Sequence, residues 1–107
     1  MPRRPKFFLV FAPETFDHLD VIERKYHGLL RRAISEQLSD APEQATRNRK
    51  PLERPADFGA TWELRCGPNN RFRVFYDVDA SRPTVRILAI GVKEGHRLFI
   101  GGEEIEL

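Results

Sequence analysis

The chain is poor in cysteine. Cys66 has no second thiol to pair with, which excludes an intrachain disulfide. That usage fits a reducing compartment, so the expected location is the cytoplasm. Histidine is also scarce. His18, His27 and His96 are widely separated and, with a single Cys, offer no zinc-binding spacing. No metal or cofactor is therefore expected. There is no phosphate-loop glycine pattern and no nucleophile elbow. No apolar run approaches the roughly 20 residues needed to span a bilayer. The longest, residues 7–12, follows Lys6 without a signal-peptide layout, so neither membrane insertion nor export is expected.

What is present is ordinary globular composition. With 40% hydrophobic and 32% charged residues, the 107-residue chain is too apolar to be disordered and fits one domain, residues 1–107. The net charge is only +2, but its distribution is uneven. Cations gather at Arg3, Arg4 and Lys6, then at Arg47, Arg49, Lys50 and Arg54. Further on come Arg65, Arg71, Arg73, Arg86, Lys93 and Arg97. Acids concentrate in residues 14–23 and at Glu103, Glu104 and Glu106. Such segregation permits a basic surface suited to an anionic partner. On charge alone, a solvated surface of mixed sign is the alternative.

Periodicity divides the chain. After an irregular lead at residues 2–5, residues 6–11 (KFFLVF) predict a strand. Its nearly continuous apolar character predicts burial on both faces, or a position over a helix. Pro13, Glu14 and Asp17 suit a helix start. Phe16, Leu19, Ile22, Tyr26, Leu29, Leu30, Ile34 and Leu38 then recur every three or four residues. Gly28 interrupts this run, which predicts a helix pair broken near residues 25–28, or one bent helix. The polar, proline-punctuated stretch 42–57 predicts a loop, with a helical turn at residues 43–47.

From Phe58 the period becomes two. Strands are predicted at residues 58–66, 71–78 and 84–93, with turns at 67–70 and 79–83. A terminal hairpin about Gly101-Gly102 follows. The expected fold is α+β: an N-terminal strand, two helices, and a three-stranded antiparallel meander bearing the helices on one face.

Alternation within the meander assigns two faces. Trp62, Leu64, Phe72, Val74 and Tyr76 should cover the helices. Glu63, Arg65, Arg71, Arg73, Phe75 and Asp77 take the other side. Ala89 and Gly91 share parity with Lys93. On the Arg73 side they would form a shallow floor flanked by cations, suited to phosphate, with Phe75 available to stack a base. A register slip of one residue would reverse this. The plainer alternative is an outer sheet face that is merely polar, with Glu63 and Asp77 pairing across strands to Arg71 or Arg73. His96, beside Arg97, can act as acid or base near pH 7. Cys66 reads as a small apolar filler.

Trp62-Glu63-Leu64-Arg65, then Arg71-Phe72-Arg73-Val74-Phe75-Tyr76-Asp77, then Ile87-Leu88-Ala89-Ile90-Gly91-Val92-Lys93 resemble the RelE/ParE superfamily of type II toxin–antitoxin toxins. The resemblance includes the upstream helices and Lys50-Pro51-Leu52, and so spans most of the chain. It implies a toxin neutralised by a cognate antitoxin that wraps its surface. RelE-like members are metal-independent endonucleases of ribosome-bound mRNA, and ParE-like members inhibit DNA gyrase. A catalytically degenerate, antitoxin-bound member is a third outcome.

In RelE-like nucleases an Arg on the second meander strand engages the scissile phosphate, and Arg73 matches it. Lys93 stands where a basic residue, more usually Arg, follows the Gly of the third strand. Two features depart from the pattern. Thr61 and Glu63 replace lysines before the hairpin, and Phe99 or Ile100 stands near the place of a C-terminal Tyr. Phe99 can stack but cannot exchange a proton. On this resemblance the candidate catalytic residues are Arg73 and Lys93, with His96 or Glu63 as proton carrier. Lys50, Arg65, Arg71, Arg97, Phe75 and Phe99 are the candidate RNA- and phosphate-binding residues.

Overall fold

The computed structural model describes residues 6–107; the arginine-bearing lead at residues 2–5 lies outside the described residues. The first strand, β1 (Phe8–Phe11), leads into α1 (Glu14–Asp20). A single 3-10 turn (Arg24–Tyr26) then opens α2 (His27–Leu38). The run of helical spacing thus becomes two helices. The break falls at residues 21–26, before Gly28, which sits in the first turn of α2 and interrupts nothing. His27 joins the pair. Its Nε2 lies 2.9 Å from the Leu19 carbonyl oxygen and 2.8 Å from that of Ile22. Carbonyls only accept, so this nitrogen carries the proton and satisfies acceptors that the end of α1 leaves open.

The remaining strands are β2 (Arg49–Pro51), β3 (Trp62–Cys66), β4 (Phe72–Asp79), β5 (Thr84–Glu94), β6 (Arg97–Ile100) and β7 (Glu103–Ile105). Their spatial order is β2-β3-β4-β5-β6-β7, antiparallel throughout, while β1 pairs in parallel with the first half of β5. The meander and terminal hairpin predicted from alternation are therefore present.

Several expectations are corrected. The predicted loop at 42–57 contains β2, whose Arg-Lys-Pro sequence carries no apolar alternation. Pro51 is tolerated there because β2 is an edge strand. No helical turn forms at 43–47; the Thr46 hydroxyl instead accepts from the Asn48 and Arg49 amides. The strand predicted from Phe58 starts at Trp62, because Gly59, at φ 94°, turns the chain ahead of it. Nor is β1 buried on both faces. Phe8 is 68% and Val10 50% exposed, whereas Phe7, Leu9 and Phe11 pack on the core. Phe16, counted in the helical stripe, is 61% exposed.

The main core lies between helices and sheet. Leu30, Ile34 and Leu38 of α2 meet Leu64, Phe72, Val74 and Tyr76, the sheet face that alternation assigned to the helices. Tyr76 is fully buried, and its hydroxyl donates to the Pro42 carbonyl at 2.7 Å, anchoring the connecting segment.

A β-bulge shapes the opposite face. Tyr76 pairs with Ile87 but Phe75 pairs with Ala89, so Leu88 has no partner on β4. The extra residue lets Ile87 face the helices while Ala89 and Gly91 face away. On that far side Ala60, Phe75, Ala89, Leu98 and Ile100 form a second small core, flanked by Leu52, Ala56, Leu88 and Ile105. The outer face of the sheet is thus partly covered.

Candidate functional site

Strand register decides which cations meet. Antiparallel partners share a face, so Lys50 opposite Glu63, and Arg65 opposite Arg73 opposite Gly91, lie on the side away from the helices. Lys93, two residues beyond Gly91, joins them. Of the two registers left open by alternation, the one that sets Ala89, Gly91 and Lys93 on the Arg73 side is observed.

The floor they make is not open. A Cβ on Gly91 would lie 3.0 Å from Leu98 Cδ1 and 3.1 Å from Ile100 Cγ1. The small residues accommodate β6 side chains. Phe75 is fully buried in the second core and is corrected as a stacking surface, because residues 52–60 and β6 cover it.

Arg65 and Arg73 sit directly opposite each other, an arrangement that like charges disfavour. Glu63 resolves it. Its Oε1 accepts from Arg65 Nε at 2.6 Å and from Arg73 Nη1 at 3.1 Å. Arg73 also donates from Nε to the Asn70 carbonyl at 3.1 Å. The side chains of Arg73 and Glu63 are only 13% and 11% exposed. The guanidinium is therefore held on two sides, with Nη2 free of these bonds. Glu63 is thus the common acceptor of two guanidiniums, an arrangement suited to holding both in place.

Beside this grip runs an open cleft of about 380 Å³, lined by Glu63, Arg73, Lys93, His96 and Arg97 together with Glu104, Ile105, Glu106 and Leu107. All four candidate catalytic residues thus line one cavity. Among the described residues Lys93 and Lys50 form no ion pair. Arg97 reaches the rim, but its guanidinium is engaged: Nε and Nη2 lie 3.0 and 2.6 Å from Glu104 Oε1. The presence of Glu104 and Glu106 in this cleft was not foreseen. The sequence shows those glutamates, but only the terminal hairpin brings them to the cations.

Two candidates fall elsewhere. Arg71 has helical backbone angles at the end of the turn, so strand alternation does not govern it. It lines a groove on the helical side with Tyr26, Phe72 and Phe99, and its Nη2 lies 3.6 Å from Glu94 Oε1. Phe99 shares that groove, with Arg97 Cζ 5.3 Å from its ring centre. Neither joins Arg73.

Cys66 is 9% exposed, and burial pushes its thiol up to about 11 against the opposing influence of Arg73. It is a packed filler, as its position at the strand end predicted. Chemically, the cleft offers a fixed guanidinium, an unpaired ammonium and an imidazole around a space open to solvent. That set suits an anion with a transferable proton nearby.

The sequence matches no protein-family model and no curated protein. Among solved structures, the chain is similar to one in the crystal structure of the toxin–antitoxin complex RelBE2 from Mycobacterium tuberculosis. The two are 20% identical with a TM-score of 0.59, covering 87% of this chain and 98% of that one. The order of helices and strands, the face that carries the helices and this superposition agree: the chain has the RelE-like α+β fold.

Proposed function

We propose that the chain is the toxin of a type II toxin–antitoxin module and a metal-independent endonuclease of ribosome-bound mRNA. The observation that carries this reading is the convergence of Arg73, Lys93 and His96 on one cleft. The RelE-like fold and its neighbour, a toxin–antitoxin complex, support the module. In the reaction the ribose 2′-oxygen attacks phosphorus, a 2′,3′-cyclic phosphate forms, and the 5′-oxygen leaves with a proton. Arg73 and Lys93 stabilise the charge that builds on the phosphate. His96 moves the proton, since an imidazole can accept a proton at one ring nitrogen and donate one from a ring nitrogen. An antitoxin is the protein partner. Exposed Val21, which lines the Tyr26–Phe72–Phe99 groove, and exposed Phe16 of α1 give such a partner apolar surface to cover.

One observation favours a second reading. Glu63, one of the two candidate proton carriers, is engaged by two arginines, and a non-enzymatic inhibitor of DNA gyrase needs no proton carrier. Inducible expression with mapping of RNA 5′ ends separates the two. Codon-positioned cuts are expected. Intact mRNA with altered supercoiling would reject the nuclease. Arg73→Ala should abolish growth arrest while leaving the folded state in place, as judged by circular dichroism. Full arrest by that variant would remove the cleft from the mechanism.

A further inference from the structure

We infer that Glu63 is a positioning residue for Arg73, fixing its guanidinium at the expense of resting affinity for phosphate; the inference rests on the proposed reading of the cleft. Three observations carry it. Glu63 Oε1 touches both Arg65 Nε and Arg73 Nη1, so one carboxylate oxygen bridges the two guanidiniums. The bridge is sheltered, at 11% exposure for Glu63 and 13% for Arg73. Arg73 is further tied through Nε to the Asn70 carbonyl, so Glu63 and Asn70 between them set the plane in which Nη2 is presented.

A flexible arginine would have to be ordered as the transition state forms. A guanidinium already held in place avoids that reorganisation. The same carboxylate withdraws roughly one positive charge from the cleft. Before the reaction, Glu63 therefore competes with phosphate for Arg65 and Arg73. The consequence is a split between binding and turnover. Removing the charge of Glu63 should improve the first and harm the second. A proton carrier at this position would behave differently, and a residue serving only the fold would show neither change.

The experiment compares wild type, Glu63→Gln, Glu63→Asp and Arg73→Ala. Binding is read with a short single-stranded RNA oligonucleotide across a salt series. Turnover is read as the cleavage rate of mRNA on purified ribosomes at saturating protein. Glu63→Gln keeps the acceptor oxygen and the shape but not the charge. It should tighten binding about fourfold near 0.15 M salt and steepen the log–log salt slope by about 0.7, the increment for one more neutralised phosphate. Its turnover should fall about tenfold or more as Arg73 loosens. Glu63→Asp keeps the charge but shortens the reach, so it should retain the wild-type salt slope and still turn over slowly. That arm serves equally if the Gln variant folds poorly.

Unchanged or weaker RNA binding by Glu63→Gln, or unimpaired turnover in both variants, would overturn the inference. So would loss of one limb of the pH–rate profile with binding unaltered, which would make Glu63 a proton carrier. Arg73→Ala is the internal control. If it binds and cleaves as wild type does, the reading of the cleft fails; if it fails to cleave while Glu63→Gln shows no split, only the inference about Glu63 falls.

Discussion

Gly67 shows how much one residue at the β3–β4 turn controls. Its φ is 81° and ψ −178°, a region that essentially only glycine occupies, at a cost of about 1–3 kcal/mol for other residues. A Cβ there would also lie 2.4 Å from Cδ2 of the buried Phe72. Gly67→Ala should therefore destabilise the protein by about 2–4 kcal/mol, measured by chemical denaturation.

His18 sets a pH dependence. Its Nδ1 accepts from the Ile90 amide at 3.2 Å, and burial lowers its affinity for a proton against the opposing charges of Asp17 and Glu14. The unfolded chain takes up the proton first. The contribution of neutral His18 is therefore present above the unfolded value of about 6.5 and is lost as pH falls through the lower folded value. Denaturation midpoints at pH 7.5 and 5.5 should differ more for wild type than for His18→Gln. An equal difference would assign the dependence to other groups. At this scale strand parity put Arg73 and Lys93 on one face, whereas His96, in the turn between β5 and β6, was legible by residue type alone. The sequence did not reveal the Glu63 grip, which depends on where two guanidinium groups end.

The long strand β5 organises the elements. It pairs with β4 along one side and with both β1 and β6 along the other. The bulge at Leu88 turns one apolar run into two faces, one for each core. Gly91 then lets β6 lie close. A Cβ would meet Leu98 Cδ1 and the Phe99 carbonyl oxygen at 3.0 Å, and a backbone carbonyl does not yield. Gly91→Ala should cost about 1–3 kcal/mol and loosen the terminal hairpin. Hydrogen exchange should quicken in residues 97–105 more than in β3. Uniform quickening would show that the glycine serves the whole sheet instead.

The alternation of β4 and the Gly-Gly turn were readable because each pattern is local. β2 was not, since three residues paired through their backbone need no distinctive side chains. The outward exposure of Phe8 and Val10 was not readable either. An apolar run does not say whether a second layer will arrive to cover it.

On the scale of the whole molecule, the helix-facing side of the sheet carries the main core, and Cys66 reports on its packing. Its thiol is buried and pushed up to about 11, so neutral-pH alkylation should be slow in the folded protein. The rate should rise with denaturant in step with global unfolding. Rapid labelling without denaturant would show that the β3 end opens locally.

The sequence by itself determined the α+β layout, the meander, the helix-facing residues and the presence of cations on the far side. Periods of 3.6 and 2 are imposed by backbone geometry and survive in any environment. Only the tertiary structure decided which cations share a cleft, that Arg71 and Phe99 leave it, and that Phe75 is covered. Those outcomes depend on a turn, a bulge and a terminal hairpin. Each shifts side chains by a few ångströms, the distance over which a charge gains a partner or remains free.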